Sequence, residues 1–250
     1  MKRWLPPALL LIGLIGAWQL AASSGALADL LNLESFLVPS PAEIAESLWQ
    51  NRSLLTENSW VTLQEVLLGL ALAVLSGLAF AVVMHLSETL RRVSQPLIVA
   101  SQAIPILVVA PILVVWFGYG TGPKLAIVAL ICFFPIAVNS LDGLRSVDPE
   151  AIKMMRTLDA SRLQILWRVE APTALPYAFS GAKIAVAVAM IGAVFGEWAG
   201  ANSGLGHLIL QDNAQLETAR LFASVALLAA MAIALFALLA LAERRVVTWR

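Results

Sequence analysis

Charge is scarce in this sequence of 250 residues: 13% of them are Asp, Glu, Lys or Arg, whereas 60% are hydrophobic. A soluble domain usually has about a quarter of its residues charged. The deficit indicates that lipid, rather than water, surrounds most of the chain. The sixteen basic residues balance the sixteen acidic ones, so no excess of positive charge points to nucleic acid as a partner.

The sequence also has one cysteine, two histidines and no glycine-rich nucleotide-binding loop. Cys132 lies in an apolar run, where no second cysteine is available for a disulfide and no other metal-ligating residue is close in sequence. We interpret it as a packing residue. We therefore expect no metal and no bound cofactor.

Long apolar segments dominate what remains. A helix needs about 20 mostly apolar residues to cross a bilayer, and six segments meet or approach that length. The sequence therefore predicts an all-α, polytopic membrane protein with about six transmembrane helices. The predicted spans are Pro6–Ser24, Trp60–Met84, Leu97–Gly118, Lys124–Leu141, Tyr177–Ala199 and Leu221–Leu241.

The first of these spans has an alternative interpretation as a cleaved signal peptide. Met1-Lys2-Arg3 would be its basic start, and the small residues between Ala21 and Ala26 would hold the cleavage site. The apolar run from Leu5 to Ala22 is long for a signal peptide, which favours a retained helix.

Lys and Arg are distributed unevenly between the predicted loops. Twelve of the sixteen lie on the side of the N-terminus and three on the opposite side, with Lys183 inside the fifth span. Short cytoplasmic loops carry an excess of Lys and Arg. We therefore expect a multi-pass protein of the inner membrane with both termini in the cytoplasm.

The segment Ser40–Ser59, between the first two spans, is predicted to hold a short amphipathic helix on the outer surface. Ser40 and Pro41 are typical N-cap and first-turn residues, and Ile44, Leu48 and Leu55 recur at near-helical spacing. A solvated loop is the alternative. We accordingly expect an N-terminal part, residues 1–59, and a membrane core, residues 60–250, with a cytoplasmic loop at 142–176.

That cytoplasmic loop carries helix signals of its own. Asp148 and Pro149 favour the start of one short helix, and Ser161 favours the start of a second. Pro172 and Pro176 are expected to end the second helix and begin the fifth span. A loop with such amphipathic helices must lie on the membrane surface, pack on the protein's own helix bundle or insert into a groove of a partner.

The loop resembles the "EAA" loop of ABC importer permeases, in Thr157-Leu158-Asp159-Ala160-Ser161-Arg162 and Arg168-Val169-Glu170-Ala171-Pro172. Gly196-Glu197-Trp198-Ala199-Gly200 and Phe36-Leu37-Val38-Pro39-Ser40-Pro41 extend the resemblance to permeases of the nitrate, sulfonate, taurine and thiamine-precursor type. The chain departs from the family pattern at six positions, two of which are Val169 in place of Ile and Ala171 in place of Leu. Lys153, Met154 and Met155 replace Glu-Ala-Ala, and Asp159 replaces a Gly whose backbone often has positive φ, a conformation that Asp tolerates.

The resemblance implies a type I ABC importer permease fold and the function of a permease subunit in an ATP-driven importer. Its partners would be cytoplasmic ABC ATPases, which bind the ATP, a periplasmic substrate-binding protein and a second permease subunit, by expectation an identical one. The substrate would be a small solute such as a thiamine-precursor pyrimidine, a sulfonate or nitrate. The residues expected to couple to the ATPase are Glu150, Lys153, Met154, Met155, Leu158, Asp159, Ala160, Leu163, Leu166, Val169 and Pro172.

Four further residues are candidates for the pathway or its gate. Pro105 and Pro111 are predicted to lie within the apolar third span, where proline removes backbone hydrogen bonds and can kink a helix. Glu197 and Trp198 are expected at the outer end of the fifth span, where an ionisable group near a membrane path suggests function. Ordinary helix packing, or an interfacial position in water, is the alternative for each.

Two other functions compete with the importer. A secondary transporter without an ATPase would be expected to have an inverted repeat or paired broken helices, neither of which is evident in the sequence. An intramembrane hydrolase could use Ser203, His207 and Glu197, but Gly200-Ala201-Asn202-Ser203-Gly204 lacks the nucleophile-elbow pattern. We therefore expect that the chain is not an enzyme.

Overall fold

The computed structural model describes residues 5–249, and over that range the chain is helical and contains no strand. A 3₁₀ turn at Ser35–Leu37 and a π-helical segment at Leu166–Glu170 lie between the α-helices. The helices are α1 Leu5–Ser23, α2 Ala26–Leu31, α3 Pro41–Gln50, α4 Arg52–Leu86, α5 Glu88–Ser101, α6 Ile106–Phe117, α7 Thr121–Arg145, α8 Pro149–Thr157, α9 Arg162–Ile165, α10 Ala171–Gly200, α11 Leu205–Gln215 and α12 Thr218–Val246.

Four helical stretches of the described chain are long and apolar enough to cross a membrane: α4, α7, α12 and the stretch Arg162–Gly200. The pair α5 and α6 makes a fifth span if its two parts are counted together. The apolar part of α1, Leu9–Ser23, is shorter. The predicted all-α membrane fold is confirmed, and the structure supports four or five long spans where the sequence predicts about six.

The third predicted span, Leu97–Gly118, is not one helix. The axes of α5 and α6 differ by 102°, and the break lies at Gln102–Pro105. Pro105 precedes the first residue of α6 instead of lying within a helix, whereas Pro111 is inside α6. Since proline cannot donate a backbone hydrogen bond, the chain begins a new helix there instead of continuing the old one.

The predicted amphipathic helix after the first span is present as α3. The Ser40 hydroxyl accepts a hydrogen bond from the backbone of Glu43 at 3.3 Å, and the Glu43 carboxylate accepts one from the backbone of Ser40 at 2.7 Å. This capping box satisfies donors that a helix start leaves unpaired. The helix ends at Gln50, and residues 52–59, which the sequence assigns to it, belong to α4.

The chain divides into two compact units. One holds the described residues up to Val61 together with Ser203–Ala229, and the other holds Thr62–Asn202 together with the described residues from Ala230. In the first unit, the side-chain carbonyl of Asn58 accepts a hydrogen bond of 2.7 Å from the backbone of Gly204.

The second unit is built on the packing of α7 against α10. Gly181 of α10 lies so close to α7 that a Cβ atom on it would be 2.6 Å from the carbonyl oxygen of Pro135. A Cβ on Gly143 of α7 would meet Tyr177 at 2.7 Å. Small residues at such contacts let helix backbones approach closely, which provides the van der Waals packing that holds helices together in lipid.

Candidate functional site

The loop between α7 and α10 begins with the helix start that the sequence predicts. The Asp148 carboxylate accepts a hydrogen bond of 2.9 Å from the backbone of Glu150, and Pro149 is the first residue of α8. The cap satisfies an otherwise unpaired backbone donor. Glu150 lies in the first turn, where a negative charge suits the positive end of the helix dipole.

A tight turn separates α8 from α9, and Asp159 is at its centre with a φ of 59°. The predicted tolerance of Asp for the left-handed conformation at the family's glycine position is confirmed. Ser161 then caps α9: its hydroxyl accepts from the backbone of Gln164 at 3.3 Å, and its own backbone donates to the Gln164 side chain at 2.7 Å.

The expected break before the fifth span is absent. From α9 the chain passes through the π-helical segment Leu166–Glu170 directly into α10. The prediction that Pro172 ends the second loop helix is therefore wrong. Pro172 lies in the first turn of α10. Proline has no amide hydrogen to donate, and Pro172 lies where the hydrogen-bond pattern changes from π-helical to α-helical.

One face of the loop packs on the bundle. Leu166 is 3% exposed and belongs to an apolar cluster with Ala81, Met84, Leu141, Leu144 and Ala174. Met155, Ala160, Val169 and Pro172 are half-buried. Because Leu166 is part of this core, its side chain is not available on the loop surface.

The opposite face is exposed and strongly apolar. Leu158 is 68% exposed and Trp167 is 71% exposed, and Met154 and Leu163 are comparably open. Glu150, Lys153 and Asp159 are exposed beside them. Such a cluster of large apolar side chains is typical of a surface that a partner covers. Trp167 is absent from the residues predicted from the sequence, although a tryptophan in a predicted loop is a usable signal.

A second group of functional candidates forms a buried polar cluster. The hydroxyl of Thr62 donates a hydrogen bond of 2.6 Å to the carboxylate of Glu197, which is 1% exposed. The ammonium group of Lys124 forms an ion pair with Glu65, and both side chains are buried. The side chain of Glu65 is also within hydrogen-bonding reach of Glu197. The cluster thus ties together α4, α7 and α10.

The other gate candidates are distributed differently. Trp198 is exposed, and its ring meets the ring of Phe195 edge-on with centroids 5.5 Å apart. Pro105 and Pro111 are exposed on the bent pair α5 and α6. The structure therefore joins Glu197 to Thr62, Glu65 and Lys124, which the sequence analysis did not include among the site residues. Within residues 5–249, no group of three or more His, Cys, Asp or Glu side chains could hold a metal ion.

Comparison with known proteins gives consistent matches. The family described as "Binding-protein-dependent transport system inner membrane component" matches residues 67–248. A probable ABC transporter permease protein of Haemophilus influenzae is 38% identical over 234 residues, 94% of this chain and 93% of that protein. The formylaminopyrimidine transport permease protein ThiX of Halalkalibacterium halodurans is 35% identical over 247 residues, covering 98% and 96%.

Among solved structures, the inward-facing MetNI methionine ABC transporter superposes with a TM-score of 0.64 at 22% sequence identity. The match covers 79% of this chain and 96% of that one. At this identity the likeness shows a shared fold.

Proposed function

Because this chain belongs to the family of binding-protein-dependent transport system inner membrane components and is the permease subunit of an ABC importer, we propose that the loop of residues 149–170 carries, on its exposed face, the surface on which its ATPase docks. We call these residues the docking loop. The observation that carries the proposal is its exposed apolar face, formed by Met154, Leu158, Leu163 and Trp167. A helix that inserts an apolar face into a groove is a common mode of recognition.

The structure of the loop suits it to transmit movement. Its far side is anchored in the core through Leu166, and its chain continues as helix from α9 to the end of α10. Packed elements shift as units between discrete arrangements. Closure of the ATPase dimer around ATP would therefore displace the loop and α10 together. In this scheme the ATPase subunits bind the nucleotide, and we expect no enzymatic activity of the permease chain itself.

The docking face can be tested with Leu158→Asp and Leu163→Asp. A charge on this face would have to be desolvated in the groove, so we expect co-purification of the ATPase with the permease to fall strongly while membrane insertion is unchanged. Leu33→Asp is the control, because Leu33 is an exposed leucine outside the loop. Normal co-purification of both loop variants would contradict the assignment.

We further propose that both termini and the docking loop are cytoplasmic, on the support of the twelve basic residues on that side. Since Cys132 is the sole cysteine, Cys132→Ala provides a cysteine-free background. In that background, a membrane-impermeant maleimide should label Asn32→Cys in intact spheroplasts and Thr157→Cys only after permeabilisation. Labelling of Thr157→Cys without permeabilisation would contradict the topology.

The remaining partners are a periplasmic binding protein, which delivers the solute, and a second copy of this chain. Co-expression of two differently tagged copies should give a complex that contains both tags. Recovery of a single tag, or of a different permease subunit, would contradict the homodimer.

For the substrate we propose a small pyrimidine of the thiamine-precursor class. The support is the 35% identity to a formylaminopyrimidine permease over nearly the full length of both chains. A riboflavin permease of Chloroflexus aurantiacus and a taurine permease of Escherichia coli are 37% and 31% identical, so riboflavin and taurine are the informative competitors. Stimulation of ATP hydrolysis by the loaded binding protein, measured with each ligand, would distinguish them.

A further inference from the structure

His85, in the last turn of α4, contacts the docking loop twice. Its ring Nε2 lies 2.9 Å from Oε2 of Glu170, and its backbone carbonyl accepts a hydrogen bond of 3.3 Å from Nη2 of Arg162. A carboxylate only accepts hydrogen bonds, so Nε2 carries the hydrogen. One residue of α4 therefore holds both ends of the segment Arg162–Glu170.

The local environment favours both contacts. The side chains of His85 and Glu170 are 11% and 10% exposed, so water competes little for their hydrogen bond and the low dielectric strengthens it. The last carbonyl groups of a helix have no partner within it and carry partial negative charge. The guanidinium of Arg162 satisfies one of them on α4. The neighbouring Met84 packs in the same apolar cluster as Leu166.

Chain connectivity gives these contacts a role. The docking loop is joined covalently to α7 and α10, whereas α4 lies earlier in the chain. A displacement of the loop by the ATPase must therefore reach α4 through noncovalent contacts, and the polar ones described here converge on His85. The π-helical segment that ends at Glu170 adds a geometry that is frequent at functional sites.

We infer that His85 is a positioning residue for transport, the contact through which movement of the docking loop is passed to α4. The inference rests on the proposed docking function. Without the His85–Glu170 bond, the ATPase would still bind the exposed face of the loop and hydrolyse ATP. The bundle would follow the loop less faithfully, so that ATP turnover would be uncoupled from solute movement.

The test uses the whole importer, permease with ATPase, in proteoliposomes with its binding protein. The solute is whichever of formylaminopyrimidine, riboflavin and taurine, the ligands named for its relatives, stimulates wild-type ATP hydrolysis most. Three quantities are measured for each variant: ATPase co-purification, binding-protein-stimulated ATP hydrolysis and solute uptake per ATP. His85→Ala and Glu170→Ala should retain co-purification and lower uptake per ATP by about 5- to 150-fold, the usual range for coupling between sites. Glu170→Gln, which keeps an acceptor oxygen, should recover part of the loss.

Three further variants make the result specific. The double variant His85→Ala/Glu170→Ala should lose no more than either single variant, because both remove the same contact. Arg162→Ala removes only the contact with the His85 backbone, so it should lower uptake per ATP less than Glu170→Ala does. This variant still tests the inference if His85→Ala fails to fold. Ser76→Ala is the control on α4, because its hydroxyl bonds to a carbonyl of its own helix.

The outcomes separate this inference from the proposed function. If the ATPase does not co-purify with the wild-type permease, the docking assignment is wrong. If the ATPase does co-purify, two results together overturn the role of His85. Well-folded Arg162→Ala, and either His85→Ala or Glu170→Ala, would transport as much solute per ATP as the wild type. A merely structural role would lower the thermal stability of the complex without changing uptake per ATP.

Discussion

The hydroxyl of Thr62 and the carboxylate of Glu197 are joined by a hydrogen bond of 2.6 Å, although 135 positions separate the two residues in the chain. Three positions after Thr62, Glu65 pairs with Lys124 of α7. These polar contacts therefore fix the positions of α4, α7 and α10 along their axes relative to one another. Since a buried polar group is costly when it loses its partner, the cluster penalises any sliding of these helices past one another.

Removal of the cation from this cluster should strongly destabilise the protein. Lys124→Ala leaves Glu65 buried without its partner, and breaking a buried ion pair in this way costs about 3–5 kcal/mol. The double variant Glu65→Gln/Lys124→Met, which removes both charges, should recover much of that loss. The measurement is thermal unfolding of the purified permease in detergent.

Lys153→Ala is the control for this experiment, because Lys153 is exposed on the docking loop. It should unfold at the wild-type temperature. A wild-type melting temperature for Lys124→Ala would mean that the Glu65–Lys124 pair contributes no net stability.

A methyl group on Gly181 should be poorly tolerated. In Gly181→Ala the new Cβ would lie 2.6 Å from the carbonyl oxygen of Pro135, so α7 and α10 would have to separate. Overpacking of this kind costs about 1–3 kcal/mol. Gly122→Ala is the matched control, because a Cβ there meets nothing within 4 Å. Equal melting temperatures for the two variants would contradict the close approach of the helices.

The left-handed backbone at Asp159 makes a graded prediction for the docking loop. Asp tolerates a φ of 59° better than most residues with a Cβ, and glycine adopts it without strain. Asp159→Ala should therefore lose about 1 kcal/mol of stability, whereas Asp159→Gly should unfold at or slightly above the wild-type temperature. If Asp159→Gly is the less stable of the two, the turn does not have this conformation.

The elements that the sequence predicted best depend on neighbours within a few residues. Ser40, Asp148 and Ser161 cap helices where expected, because each hydroxyl or carboxylate needs only the backbone two or three positions later. The conformation of Asp159 follows from the family's glycine at its position. Such local chemistry is visible in a single sequence.

Contacts between distant residues were beyond that reach. Glu197 was predicted only as an ionisable gate candidate at the outer end of the fifth span, because nothing in the sequence indicates that Thr62 lies beside Glu197 or Lys124 beside Glu65. Pro105 suggested a kink, but the 102° bend also depends on how α6 packs on α7 and α10. His85 gave no signal, since its partner Glu170 lies 85 positions later.

Exposure within the docking loop was also beyond prediction, and two adjacent residues show why it matters for function. Leu166 is buried in the core and Trp167 is exposed beside it, within the π-helical segment. Helical periodicity alone groups Leu166 with Leu163 on one apolar face. The structure separates them, so substitutions at Leu166 and Trp167 should act on different properties of the protein.

Leu166→Ala should destabilise the permease by about 2–5 kcal/mol, the usual cost of a cavity left by a core leucine. Trp167→Ala leaves no core cavity, and its effect should appear in the affinity for the ATPase. Tryptophans at the centre of an interface often contribute about 2 kcal/mol or more, which corresponds to roughly a 30-fold weaker Kd. We therefore expect Leu166→Ala to lower mainly the melting temperature and Trp167→Ala to lower mainly the affinity for the ATPase, with both quantities measured on both variants. The reverse pattern, with Trp167→Ala unfolding early and Leu166→Ala binding weakly at normal stability, would mean that the exposed face of the loop is not the one the ATPase contacts.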